Sequence, residues 1–400
     1  MTSINPQLLT WARETAGLNV KEAAHTLGFA DSLKRSAAER LQALETGAEE
    51  PTRGQLLRMA EKYRRPLLVF YLSQPPGTGD RGKDFRTVAG AASPLFNPLL
   101  DALIRDIRKR QAIVRAVQEE VESPRVDFVG TASFIDPVDV LAKRIADRLQ
   151  FSLQEFRQQS DPSSAFNYLR RKIEASGVFV LLLGNLGSHH TNIDVDVFRG
   201  FAVADPLAPF VVINDQDART AWSFTALHEL VHLWLGATGV SGQNIDAQIE
   251  RYCNDIAGEI LLPTSEITDV LAGLRRASIE KMIESMTTFA SKRNISSSMV
   301  AYKLFRTNVI GENEWRKIAD HYRQQWLKSK IKLDEPEVGS KGGPSYYVVR
   351  RHRLGDALLD LVRGSLGEGI LTPIKAGMVL GVKARNVDPL LHGTVMEGGR

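Results

Sequence analysis

The sequence has a single cysteine, no long apolar run and little net charge. One Cys in 400 residues excludes a disulfide framework and is typical of proteins in the reducing cytoplasm. No segment is long and apolar enough to span a bilayer, and the N-terminus lacks the charged and then apolar order of a signal peptide. We therefore expect a cytoplasmic protein with no membrane partner. The formal charge of +4 predicts that any nucleic-acid surface is local.

Residues 220–236, TAWSFTALHELVHLWLG, carry side chains that can bind a metal ion. Thr220 as N-cap and Gly236 as a stop signal predict a helix here. Residues four apart lie on one face of a helix, so His228 and His232 can offer two imidazole nitrogens to one ion. Glu229 lies one step round, where it can act as a general base on water, as in the H-E-x-x-H pattern of zinc hydrolases. The alternative is a chance match on a helix that only packs.

A hydrolytic zinc site needs a third protein ligand and an open position. Residues 246–263, DAQIERYCNDIAGEILLP, predict a second helix with Asp246 as its cap and Pro263 as its terminator. Its candidate ligands are Glu250, Cys253, Asp255 and Glu259. Glu250 and Glu259 are nine residues apart and half a turn out of phase, so they cannot both face the ion. We favour Glu250, because a carboxylate on the small, apolar face needs a cationic partner. Cys253 is the second choice, although it is more often a small buried apolar residue.

Short β-rich segments come before the metal-binding segment. Residues 177–183 (GVFVLLL) and 210–213 (FVVI) are apolar, and residues 195–203 alternate between apolar and polar. They predict a small antiparallel sheet, whose edge can bind an extended peptide. His189 and His190 fall in a predicted turn, where exposed polar side chains are more frequent than metal ligands.

The first 76 residues predict a bundle of short helices. Each helix has an apolar stripe and is bounded by Gly or Pro, and the predicted helices are residues 6–16, 20–27, 34–44 and 52–63. Lys34, Arg35 and Arg40 lie on a candidate recognition helix and are the predicted DNA contacts. Ten Lys and Arg against eight Asp and Glu in this part give DNA binding only weak support. The alternative is a solvated bundle that binds protein.

The rest of the chain is predicted to be mainly helical. Pro and Gly at residues 73–94 predict an exposed linker, and hydrophilic residues at 328–345 predict a second link. Helices are predicted at residues 97–122, within 136–175, and at 353–362 and 374–380. The basic residues after 345, Arg350 among them, permit contact with DNA or acidic protein, but solvent exposure explains them equally well.

Four spaced segments resemble the ImmA/IrrE family of bacterial zinc peptidases over about residues 170–325. They are FRGFAVAD, FVVIND, FTALHELVHLWLG and IERYCNDIAGEILLP. The resemblance implies a gluzincin-like ligand set of His228, His232 and Glu250, with Glu229 as the catalytic carboxylate and Zn²⁺, or alternatively Mn²⁺, as the cofactor. Val231 stands where many members have Gly, a change that leaves every ligand in place. Residues 1–76, with LTWARETAGLNVKEAAHTLG, resemble the XRE-type helix-turn-helix domain fused to some members.

Together these observations predict an α+β fold. It is mainly helical, with a small antiparallel sheet next to a zincin-like HExxH helix, plus an N-terminal helix-turn-helix domain. The predicted domains are a helix-turn-helix domain at 1–76, a linker and helical segment at 77–165, a peptidase domain at 166–327 and a small helical domain at 346–400.

The predicted function is that of a zinc-dependent endopeptidase that cleaves a partner transcriptional repressor. The resemblance implies an antirepressor or stress-response switch, with a repressor encoded nearby as substrate and DNA contact through residues 1–76. One alternative is a DNA-binding regulator whose peptidase-like domain only senses a ligand or holds a partner. Another is a purely helical interaction scaffold, which the order of strands and metal-binding helix disfavours.

Overall fold

The computed structural model describes residues 4–76, 97–236, 243–270, 274, 277–334 and 345–392. They belong to two compact units, one with the described residues up to Asp106 and one with those from Ile107 onward. Most of the predicted linker at 73–94 lies outside the described residues. So does the predicted link from 335 to 344, whereas residues 328–334 form the end of a helix.

The first unit is a bundle of short helices around its own core. The elements are α1 (Pro6–Thr15), α2 (Val20–Thr26), α3 (Ala37–Glu45), α4 (Arg53–Lys62), a 3-10 helix (Leu67–Tyr71) and the first part of α5 (Pro98–Glu120). Capping boxes begin α2, α3 and α4, which satisfies backbone donors that have no partner within the helix. Ten residues, 27–36, separate α2 from α3, whereas a helix-turn-helix has a turn of about three to four residues. The helix-turn-helix domain therefore stays a prediction.

The second unit is helical apart from one small sheet. After the rest of α5, its helices are α6 (Val138–Leu149), α7 (Leu153–Arg157), α8 (Pro162–Ala175), α9 (Arg219–Trp234), α10 (Gln243–Leu261), α11 (Thr264–Val270), α12 (Ile279–Ser291), α13 (Ser297–Arg306), α14 (Glu312–Asp334), α15 (Tyr346–Leu354), α16 (Asp356–Gly367), α17 (Pro373–Leu380) and α18 (Val387–His392). A large apolar core joins α6, α8, the sheet, α9, α10 and α13. None of the described helices has the length and hydropathy needed to cross a membrane.

The sheet has three strands and is mixed. Its strands are β1 (Phe179–Leu182), β2 (Gly200–Val203) and β3 (Phe210–Ile213), in the order β1-β3-β2. β3 runs parallel to β1 and antiparallel to β2. The α+β class agrees with the prediction, but the antiparallel sheet was wrong, and only the last part of residues 195–203 is a strand. Apolar alternation predicts which face of a strand is buried, but it does not predict which strands pair or in which direction. Here β3 lies between β1 and β2, so the parallel pair β1-β3 had no signal in the alternation.

Helix α9 lies at the centre of the second unit, against β2, β3, α8 and α10. Its predicted N-cap was wrong: the cap is Ala218, without a side-chain hydrogen bond, and Thr220 lies inside the helix. After β3 the chain turns, and Gln216 N donates to Asn214 Oδ1 at 3.0 Å in this turn. The turn leads directly into the helix, which therefore begins without a capping side chain. Gly236 follows the helix with φ of 59°, the left-handed conformation expected of a C-terminal Gly. The start predicted for α10 was also wrong, because α10 already includes Asp246.

A buried ion pair on α8 holds the C-terminal helices against the sheet. Arg170 Nε lies 3.1 Å from Glu174 Oε1, and both residues are buried. Arg170 donates to Val180 O of β1 and to the carbonyl oxygens of His352 and Arg353 near the end of α15. Glu174 accepts from the backbone N–H of Ala357 at the start of α16. The cation thus meets a helix C-terminus and the anion a helix N-terminus, as the helix dipoles favour.

Candidate metal centre

The two histidines of α9 meet at one point inside the second unit. His228 and His232 are buried, with 0% and 2% of their surface exposed. Their Nε2 atoms lie 3.0 Å apart. Their spacing of four residues on a regular helix produces this approach. Because α9 is buried from Thr225 to Trp234, both imidazole rings are enclosed by the core.

Helix α10 brings a carboxylate to the same point. Glu250 Oε1 lies 3.2 Å from His232 Nε2, and Glu250 Oε2 lies 3.4 Å from His228 Nε2. The Glu250 side chain is 31% exposed, whereas the histidines are almost fully covered. Solvent therefore reaches this cluster from the side of Glu250.

A thiol completes the group of donor atoms. The Sγ of Cys253 and one ring nitrogen from each of His228 and His232 lie within 4.8 Å of one another. Burial raises the pKa of the Cys253 thiol. Burial also works against a charge on His232, yet the carboxylates of Glu250 and Glu229 favour one, and the pKa of His232 lies well above its usual value. The surroundings therefore favour positive charge at this point.

The other candidate ligands are engaged elsewhere. Asp255 Oδ1 lies 2.9 Å from Arg306 Nε. Glu259 forms an ion pair with Lys303 and accepts from Thr264 N at 3.0 Å. These partners lie on α13 and α11, so Asp255 and Glu259 are on other faces of α10 than Glu250, as the phase argument predicts for Glu259. His190 is exposed and does not belong to the cluster of described metal-binding side chains.

Glu229 is fully buried beside the first residue of β2. A Cβ on Gly200 would lie 2.9 Å from Glu229 Oε1, 3.0 Å from Glu229 Cγ and 2.7 Å from Thr225 Cγ2. Only a glycine allows the strand this close to the carboxylate. Gly200 was not among the predicted site residues, although a glycine within an apolar strand signals a close approach of the backbone.

A loop between α5 and α6 connects α9 to α10 by hydrogen bonds, and this feature was not predicted either. Gly130 N donates to Leu233 O at 3.0 Å, and Ala132 N donates to Trp234 O at 2.9 Å. These bonds supply donors to carbonyl groups in the last turn of α9, where helical partners run out, and Leu233 O also accepts from Gly236 N at 3.0 Å. On α10, Tyr252 Oη donates to Asp136 O at 2.8 Å. Contacts so distant in sequence leave no local pattern from which to predict them.

The donor atoms fit a zinc ion. Zinc prefers tetrahedral sites with His nitrogen at about 2.0–2.1 Å, which places neighbouring donors roughly 3.3 Å apart. The separations of 3.0, 3.2 and 3.4 Å between the two imidazoles and the Glu250 carboxylate lie close to this value. Two imidazoles, a carboxylate and a thiol are also ligand types that zinc accepts. His228, His232, Glu250 and Cys253 are therefore the residues that could hold the ion.

The predicted DNA contacts have partners within the first unit. Lys34 and Arg35 precede α3, contrary to the predicted helix start, and Arg40 alone lies on it. Arg35 pairs with Glu49. Arg40 donates to Ala30 O at 3.2 Å and lies over the ring of Phe29. Two of the three side chains thus have partners within the bundle in this structure.

Comparison with known proteins identifies one segment. A family model described as the IrrE N-terminal-like domain, Peptidase_M78, matches residues 187–305. Searches of curated proteins and of solved structures gave no match. The matched segment includes β2, β3, α9 and α10, and it leaves the first unit outside the match. The match supports the ImmA/IrrE resemblance for residues 187–305, a metallopeptidase-like segment that contains all the donor side chains described above.

Proposed function

We propose that this protein is a zinc-dependent endopeptidase, with His228, His232 and Glu250 as metal ligands and Glu229 as the catalytic carboxylate. The observation that carries the proposal is the approach of the two imidazoles and the Glu250 carboxylate to one point, with separations of 3.0 to 3.4 Å. Glu229 lies on the same helix, next to the first of these imidazoles. The match to the Peptidase_M78 model over the same residues supports a peptidase in particular.

The chain supplies the proton transfer and the position of the substrate. Bound zinc would polarise the scissile carbonyl group and make water more acidic. Glu229 accepts a proton from the attacking water and returns it to the leaving amine. Because this carboxylate is buried away from bulk solvent, its electrostatic interactions are stronger than they would be in water.

An extended substrate lies along β2 in this proposal. β2 ends the sheet on one side, next to Glu229. On the other side, Arg170 donates to the outward-facing Val180 O of β1, and α15 and α16 pack there. Since β1 is covered, β2 is the edge that can pair with a peptide backbone.

The proposed substrate is a transcriptional repressor encoded next to this gene, so that cleavage releases its target genes. Residues 166–327 act as the peptidase domain and residues 1–76 bring the enzyme to the repressor or its operator DNA. Residues 77–165 connect the two, and residues 346–400 form a small C-terminal domain. Support comes from the resemblance to ImmA/IrrE peptidases with a fused XRE-type domain.

Incubation of the purified protein with zinc and that repressor tests the proposal. We expect defined repressor fragments, which a chelator suppresses and added zinc restores. If the repressor stays intact under these conditions, the endopeptidase is not supported with this substrate. Retardation of promoter DNA in a gel, without cleavage, would instead support the alternative of a DNA-binding regulator with a peptidase-like sensor.

A further inference from the structure

Helix α10 offers two donors to the cluster, and the proposed ligand set uses only one. Glu250 and Cys253 are three residues apart, so they lie on the same face of the helix, one turn from each other. Cys253 is fully buried, and its sulfur lies within 4.8 Å of a ring nitrogen of both histidines. Helix α9 likewise offers two donors, so two pairs of side chains surround one point.

The groups around the Cys253 thiol are of the kinds that bind a metal ion. The residues that face Cys253 across the cluster are two imidazoles, the Glu250 carboxylate and the Glu229 carboxylate. A zinc ion in their midst binds thiolate at about 2.3 Å, and the sulfur of a tetrahedral site then lies roughly 3.6 Å from each nitrogen. Since the observed separations do not exceed 4.8 Å, the sulfur has to approach the nitrogens by at most about 1.2 Å to reach this value.

We propose that Cys253 Sγ is a fourth protein ligand, and that the resting protein holds zinc in a closed set of His228, His232, Glu250 and Cys253. This inference rests on the proposed metal site and adds to it. Sites with four protein ligands are closed, whereas hydrolytic sites keep one position for water. The bound thiolate therefore makes the peptidase latent, and its departure provides the position that hydrolysis needs.

Cobalt substitution tests the ligand directly and does not need a substrate. The full chain loaded with Co²⁺ should show a near-ultraviolet thiolate-to-cobalt charge-transfer band, and the zinc protein should show a Zn–S distance of about 2.3 Å by X-ray absorption. Cys253→Ala should lose the band while still binding one metal ion per chain. Ala257→Ser, one turn further along α10 and also buried, is the matched control and should keep the band. A wild-type protein without the band and without a Zn–S distance would overturn the proposal.

Azide tests whether the site is closed. Added azide should leave the visible spectrum of the wild-type cobalt protein unchanged and should shift that of Cys253→Ala, where a position is open. Cys253→Ser provides the same comparison if the alanine variant does not fold. An azide-induced shift in wild type as large as in the variant would contradict closure. Because these readouts do not involve cleavage, they separate the two proposals: a Cys253→Ala protein that holds zinc with an open position and never cuts the repressor would refute the proposed peptidase, while the sulfur band of wild type would leave the ligand set standing.

Discussion

Two sites were predicted from charged or metal-binding side chains, and they differ in burial. One is the candidate metal centre between α9 and α10, and the other is the group of basic residues before and on α3. In the centre, His228, Glu229 and His232 are nearly inaccessible, so each polar side chain requires partners at fixed places. Arg35 and Glu49 are about half exposed, and water can replace either partner. Burial therefore makes the position of a polar side chain informative about chemistry, and exposure removes most of that information.

The largest expected effect is at Glu229. Glu229→Gln keeps the size of the side chain and all four donor residues, but it removes the proton acceptor. We expect cleavage of the repressor to fall by about 10²- to 10⁴-fold, with zinc content unchanged when measured by atomic emission. A glutamine variant that cuts at the wild-type rate would assign the proton transfer to another group. It would also weaken the conclusion that buried polar side chains reveal chemistry better than exposed ones do.

The predictable part of the centre came from spacing within one helix. The spacing of His228 and His232 by four, and the phase difference between Glu250 and Glu259, specified which side chains meet, because helix geometry relates sequence to direction. The features that could not be predicted depend on contacts between distant segments. The order β1-β3-β2, the approach of Gly200 to Glu229 and the loop at Gly130 all arise from tertiary packing. For Arg350, exposure was one explanation, yet it is buried and donates to Leu380 O at 2.7 Å.

Removal of a metal ligand is the second test of the centre. Glu250→Ala should weaken zinc binding by at least about tenfold, as measured by competition with a chromogenic chelator. The matched control is Asp255→Ala on the same helix, whose carboxylate pairs with Arg306 instead and whose loss should leave zinc affinity unchanged. Equal zinc affinity in the Glu250 variant and wild type would remove Glu250 from the ligand set.

The buried ion pair of α8 extends the comparison to stability. Arg170→Met leaves the Glu174 carboxylate buried without its cation, and burial already raises the pKa of Glu174. Breaking a buried pair from one side costs about 3–5 kcal/mol, so we expect urea unfolding at a clearly lower concentration. Proteolysis should also cut the C-terminal helices sooner, because Arg170 binds carbonyl groups of α15. A midpoint equal to that of wild type would show that burial does not make this pair important.

A smaller effect is expected from a methyl group at Gly200. In Gly200→Ala the new Cβ meets Thr225 Cγ2 at 2.7 Å and Glu229 Oε1 at 2.9 Å, so the carboxylate has to move. Such displacements cost up to about 10²-fold in rate, and zinc affinity should persist because no ligand is touched. Thr225→Ser in the Gly200→Ala background removes only the contact with Thr225. If that double variant regains full activity, the position of Glu229 does not depend on Gly200.

The smallest effect is expected at Arg35, and it tests the exposed side of the comparison. The Arg35 side chain is 54% exposed and that of Glu49 is 50% exposed, and pairs of this kind contribute less than about 1 kcal/mol. Arg35→Ala should therefore shift the urea midpoint far less than Arg170→Met does.

If the bundle binds promoter DNA, the variant loses at most one phosphate contact, which lowers the salt slope of binding by about one. A large loss of stability would mean that the exposed pair is structural. A loss of binding on one promoter sequence but not on others would mean that Arg35 contacts bases. The exposed Arg35 side chain would then contribute to sequence-specific DNA recognition.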